Sequence, residues 1–144
     1  MVIYAESSAV LSWMLGEAEA RDVVRCLRSA EVVLSSHLTI AECARALVRL
    51  EQDGSLSPRA ASRRRALLDD AARSWSILVP VARVWERAGA PFPVEPVRTL
   101  DALHLTLAEK AARERPDLAV LSRDRRIREN AVALGLAVLP EVAR

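Results

Sequence analysis

The chain has 144 residues, 51% of them hydrophobic, enough to bury a sizeable core in one domain of ordinary size. Two cysteines, Cys26 and Cys43, cannot form a disulfide framework, no apolar run approaches the roughly 18 residues of a membrane span, and no basic region precedes the apolar start, so a cytoplasmic protein with no membrane partner is expected. The net charge of +2 says little by itself, but Lys110 is the only lysine among mostly arginine cations, and with few aromatics (Tyr4, Trp13, Trp75, Trp85, Phe92) any nucleic acid is expected to be held by its backbone rather than by stacking.

Val2–Ala5 reads as a buried strand, and Ser7 or Ser8 is expected to cap a helix through Leu15. EAEARDVVRCL places Ala20, Val23, Val24 and Leu27 on one helical stripe. Val32–Leu34 is the second strand, followed by a helix from Leu38 to Asp53 that Gly54 closes with a left-handed cap. Ser57 and Pro58 then open SPRAASRRRALLDDAARSW in the order expected of a helix start. A third strand is expected at Ile77–Val79, a short helix at VARVWERAG, and a proline-stiffened loop at APFPVEP. Thr99 is read as the cap of TLDALHLTLAEKAARER, Ala119–Leu121 as the fourth strand, and Arg125 to Leu134 as a helix ending at Gly135. Leu136–Leu139 is a weaker fifth strand. Apolar strands alternating with helices imply an α/β fold: a three-layer α/β/α sandwich with a mainly parallel central sheet, one domain over residues 1–144.

In such sheets the functional cleft lies beyond the carboxyl ends of the strands. Glu6 follows the first strand and Asp124 the fourth, in VLSRD; if those strands are neighbours at a switch in strand order, the two carboxylates face one crevice. Helix capping is the plain alternative for Asp124, but glutamate is a poor cap beside Ser7 and Ser8. Glu42 in HLTIAECARALV and Asp101 in RTLDALHLTLA lie among apolar helix neighbours, where a carboxylate needs a partner cation, with Arg45 and Arg98 as nearby candidates. Taken together, four oxygen donors without a His/Cys cluster suit Mg²⁺ or Mn²⁺. Phosphodiester hydrolysis by a metal-activated water is the chemistry such a set implies.

The order of MVIYAESSAVL, LTIAECARAL, RTLDALHLTLA and VLSRDRRI, with GLAVL at the end, resembles the PIN-domain ribonucleases, and within them the VapC toxins of bacterial toxin–antitoxin pairs, over essentially the whole chain. The resemblance implies a Mg²⁺- or Mn²⁺-dependent endoribonuclease, an RNA substrate, a VapB-like antitoxin that blocks the site, and a homodimer. Carried over by position, the catalytic and metal-holding acids are Glu6, Glu42, Asp101 and Asp124, supported by Ser122 and Ser7. The departure is Glu6, where family members usually have aspartate; the extra methylene adds about 1.5 Å. A catalytically weakened module that acts through antitoxin or RNA binding is therefore the second expectation.

Arg123, Arg125, Arg126 and Arg128 surround Asp124, where guanidinium groups could hold RNA phosphates, and Arg98 could orient Asp101 or the scissile phosphate. Arg63, Arg64 and Arg65 read as a solvated helix face, and His104 and His37 as helix histidines with local hydrogen bonds. Leftover apolar residues between Val23 and Leu68, such as Leu47, Leu50, Leu67 and Leu68, could form a groove for a dimer partner or an antitoxin helix. A signalling receiver domain is disfavoured, because the third strand ends in Val79-Pro80 rather than in an acceptor aspartate and Lys110 lies deep in a helix.

Overall fold

The computed structural model describes residues 1–17 and 20–141. Five strands form one sheet: β1 (Val2–Ala5), β2 (Val32–Ser36), β3 (Ser76–Leu78), β4 (Leu118–Leu121) and β5 (Ala137–Leu139). Their spatial order is β3-β2-β1-β4-β5, and every neighbouring pair is parallel. The chain leaves β1 in one direction to build β2 and β3, then returns to its other side for β4 and β5. Strand order therefore switches between β1 and β4, where Ala5 lies opposite Leu121 and both strands end.

The strand period of two explains the layers. Val2 and Tyr4 of β1 join one buried cluster with Leu34, Val84, Leu103, Leu107, Val120 and Ile127. Ile3 and Ala5 point the other way, into a second cluster with Val10, Met14, Cys43, Leu47, Leu68 and Leu121. Helices α1 (Ser7–Leu15), α2 (Arg21–Ser29), α3 (His37–Gln52) and α4 (Pro58–Ser74) contribute to the second cluster; α5 (Ala82–Ala88), α6 (Thr99–Glu114) and α7 (Arg125–Ala133) contribute to the first. The expected sandwich is thus the observed one, with the edge strands β3 and β5 only three residues long.

Boundaries follow local chemistry. Ser57 caps α4 by accepting from Ala60 N–H, with Pro58 in the first turn, and Gly54 takes the left-handed φ of +80° after α3. Two expectations need correction. β2 runs on to Ser36, because buried Ser35 donates to Ala5 O at 2.7 Å and Ser36 caps α3 by accepting from Thr39 N–H. Thr99 is the first residue of α6 rather than its cap; Arg98 occupies the cap position without a side-chain hydrogen bond. The stripe of Val23, Val24 and Leu27 lies on α2, whereas Ala18 and Glu19, at the start of the expected helix, lie outside the described residues.

α6 is buried along most of its length, from Ala102 through Ala108 without interruption. Such a stretch belongs in an interior, and half-buried Asp101 stands at its edge. The loop before it is held from both sides: Glu95 accepts from Phe92 N–H and Val97 N–H, and buried Asn130 of α7 pairs with both the N–H and the C=O of Val94.

Candidate active site

Glu6 leaves β1 and is 3% exposed. Its N–H extends the β1–β4 ladder by donating to Leu121 O at 3.1 Å, and α1 starts at the next residue. Contrary to the expectation that Ser7 or Ser8 would cap that helix, Glu6 caps it, its Oε1 accepting from Ser8 N–H at 2.9 Å. Oε1 also accepts from the Ser7 hydroxyl at 2.7 Å, while Oε2 accepts from the hydroxyls of Ser8 at 2.5 Å and Ser122 at 2.7 Å. Burial overrides the usual cap ranking because the carboxylate finds donors from two strand ends at once.

Asp124 caps α7: its Oδ1 accepts from Arg126 N–H at 2.8 Å and Ile127 N–H at 3.2 Å. Its own N–H donates to Ser122 Oγ at 3.0 Å and Ser8 Oγ at 3.1 Å. Among the described residues Oδ2 accepts no hydrogen bond. Capping and site membership are compatible here, because the cap engages one oxygen only.

Asp101 sits in the first turn of α6. Burial raises its carboxyl above the ordinary value, and the charges of Asp124 and then Glu6 raise it further; His104 and the Arg98 backbone oppose this more weakly. Glu6 and Asp124 thus share the hydroxyls of Ser8 and Ser122 beyond the ends of β1 and β4, and the charges of both act on Asp101 at the start of α6. Among the described residues no other side chain donates to the half-buried Asp101, and the backbone of Arg98 is its one opposing hydrogen-bond contribution, so its carboxylate is under-satisfied.

Glu42 approaches from α3 and is tied to the set by His104. His104 Nε2 lies 2.6 Å from Glu42 Oε1, and His104 Nδ1 lies 2.9 Å from the Tyr4 hydroxyl. If Glu42 accepts, Nε2 carries a hydrogen, and in a neutral ring Nδ1 then accepts from Tyr4. Tyr4 and His104 are buried, and burial pushes the Tyr4 phenol upward. The bonds of His104 are not local, as expected for a helix histidine, but join α6 to α3 and β1. Burial likewise pushes the Cys43 thiol up to about 12, with Glu42 and Glu6 adding to it. Cys43 is a packing residue between two site acids.

The arginines divide by their partners. Arg128 Nη1 donates to Ser122 O and Leu139 O, and its Nη2 to Pro140 O, so it clamps β5 to β4 and is not available to RNA phosphates as expected. Arg123 donates to Ser12 Oγ at 3.3 Å, and Arg125 pairs loosely with Glu129 at 3.4 Å. Arg98 and Arg126 make no side-chain hydrogen bond among the described residues. Arg64 leaves the expected solvated face to donate to Met14 O at the end of α1.

The donor set is one of hard oxygens whose mutual repulsion a cation would relieve, so it fits Mg²⁺ or Mn²⁺ by chemistry and charge. Among the described residues no three His, Cys, Asp or Glu side chains stand together as a ready-made metal cage. Sequence reasoning missed four contributors: Ser8, Tyr4, His104 as a tether, and Asn130. Only the E-S-S run hinted at the first.

The sequence profile of the PIN domain matches residues 3–133. Ribonuclease VapC46 of Mycobacterium tuberculosis (strain ATCC 25618 / H37Rv) is 36% identical over 138 residues, 95% of this chain and 95% of that one. Solved structures share the fold, two of which illustrate it. The Mycobacterium tuberculosis toxin VapC20, described as cleaving the sarcin-ricin loop, superposes with a TM-score of 0.64 at 17% identity, over 88% of this chain and 93% of that one. VapBC2 of Rickettsia felis, bound to a DNA fragment from its promoter, gives 0.63 at 9% identity, over 96% and 97%.

Proposed function

The chain belongs to the PIN-domain family, and from that premise we propose that it is a metal-dependent endoribonuclease, the toxin of a type II toxin–antitoxin pair. What supports the reading is that Glu6 and Asp124 share the hydroxyls of Ser8 and Ser122 beyond the ends of β1 and β4, that both charges act on Asp101, and that His104 of the same helix holds Glu42. A bound Mg²⁺ or Mn²⁺ supplies a polarised phosphoryl oxygen and a water acidic enough to attack at neutral pH. Asp101 and Asp124 would hold that ion, Glu6 would complete the acidic wall, and Glu42, hydrogen-bonded to His104, would accept a proton from the water. Arg98 and Arg126, with uncommitted guanidinium groups at the mouth, suit the flanking phosphates of an RNA strand. Arg123 and Arg125, each with one weak partner, can add to that grip by rotating free.

A VapB-like antitoxin is part of the same reading. Trp13, Val24, Leu27, Leu67 and Trp75 line an open groove between α1, α2 and α4, suited to the apolar face of a helix. A homodimer, with Val79, Val81 and Trp85 as exposed apolar surface for it, belongs to the proposal, as does a cytoplasmic setting. No helix among the described residues is long and apolar enough to cross a membrane. The test is cleavage of structured RNA by the purified chain with Mn²⁺ or Mg²⁺ against EDTA. Metal-dependent cleavage that disappears in Asp101→Asn supports the reading; equal cleavage by that variant removes it.

A further inference from the structure

Resting on that reading, we propose that Glu6 is a positioning residue and not a metal ligand: it orients the hydroxyls of Ser8 and Ser122, and those hydroxyls hold the main chain of Asp124. An ionised carboxylate offers about four lone-pair directions. Four donors occupy them in Glu6: the Ser7 hydroxyl, Ser8 N–H, and the hydroxyls of Ser8 and Ser122. Coordination by Glu6 would require giving up at least one of these in a site that is 3% exposed, where water cannot readily replace the lost partner.

Hydroxyl direction supplies the second half of the argument. Each serine has a single hydroxyl hydrogen, and both Ser8 and Ser122 give theirs to Glu6 Oε2. Their lone pairs are thereby turned toward the N–H groups of the neighbouring loop: Ser8 Oγ accepts from Arg123 at 2.8 Å and Asp124 at 3.1 Å, and Ser122 Oγ from Asp124 at 3.0 Å. Glu6 thus sets the position of Asp124 across a sequence separation of more than 110 residues. Glutamine at position 6 replaces one carboxylate oxygen with an NH₂ and removes the charge, so at least one of the four donors loses its acceptor and the hold on the two hydroxyls weakens. The extra methylene of Glu6, relative to aspartate, lengthens the arm that reaches Ser122 by about 1.5 Å.

The experiment is a Mn²⁺ binding titration on the full chain, followed by electron paramagnetic resonance, together with thermal melts in EDTA. The variants are Asp101→Asn, Glu6→Gln, the pair Ser8→Ala/Ser122→Ala, and that pair in the Glu6→Gln background. Loss of an outer support costs about 10-fold or somewhat more in metal affinity. Expected, then, is about a 10-fold loss for the serine pair in the native background, a clearly smaller loss from the same pair once Glu6→Gln is present, and a much larger loss for Asp101→Asn. Glu6→Gln losing as much as Asp101→Asn, or the serine pair costing the same in both backgrounds, would overturn the proposal. If native chain and Asp101→Asn bind Mn²⁺ equally, the functional reading fails and the EDTA melts still decide about Glu6. The serine pair must lower the melting temperature less once Glu6→Gln is present; an equal drop in both backgrounds overturns the relay.

Discussion

Glu6 and Asp101 are both carboxylates at the strand switch, yet they sit in opposite electrostatic situations. Glu6 is enclosed by four donors and stabilises the structure around it. Asp101 is half-buried, close to Asp124 and Glu6, and raised by burial and by both charges. The contrast teaches how a fold can concentrate negative charge without falling apart: satisfied acids build the wall, and an under-satisfied one is left for a ligand to complete.

The substitution that separates the two most strongly is Asp101→Asn, expected to lower metal-dependent RNA cleavage on the order of 100-fold or more while leaving the fold intact by circular dichroism. Retained cleavage would erase the distinction. Glu6→Gln should act on stability instead. Losing charge-assisted, buried hydrogen bonds costs about 2 kcal/mol, a fall of about 6 °C in a metal-free melt. A melt equal to that of the native chain would mean that the donors around Glu6 contribute nothing.

Glu42 tests where a third acid falls on the same scale. Tyr4→Phe removes the hydroxyl that pairs with His104 Nδ1, leaving a buried ring nitrogen without its partner, at a cost of about 1 kcal/mol by chemical denaturation. Cleavage should fall less than in Asp101→Asn, because Glu42 is loosened rather than removed.

The smallest effect concerns pH. A carboxyl raised in the folded state binds its proton more tightly there than in the unfolded chain, so ionising it costs stability as pH rises through the raised value. The cost is absent below the ordinary value of 3.8. In EDTA, Asp101→Asn should therefore melt slightly above the native chain at pH 7, and the gain should vanish on acidification toward that value. A gain that persists in acid would assign it to packing instead.

Much of this arrangement is legible in the sequence because apolar runs mark strand ends. Val2–Ala5 stops at Glu6, and the run Ala119–Leu121 stops three residues before Asp124, so both acids fall beyond strands before any topology is known. The apolar surroundings of Asp101 similarly announce an inward-facing acid. What stays hidden depends on partners far away in the chain. Ser35 and Ser36 look like residues beyond a strand that ends at Leu34, until Ala5 O and the start of α3 engage them and β2 runs on through both. His104 looks like a local helix residue until Glu42 and Tyr4, 62 and 100 positions away, close on it. Arg128 resembles its phosphate-facing neighbours, but three carbonyls from the ends of β4 and β5 claim it. The capping role of Glu6 was obscured for the same reason, since cap preferences describe exposed helix ends and this one is buried.

A crystal structure of the chain soaked with Mn²⁺ tests the central claim most directly. The account predicts an ion at the β1–β4 switch with oxygens of Asp101 and Asp124 at about 2.0–2.2 Å, and Glu6 still within hydrogen-bond distance of Ser7, Ser8 and Ser122. An ion bound away from Asp101 and Asp124, or one whose coordination sphere includes Glu6 with the serine contacts broken, would contradict it.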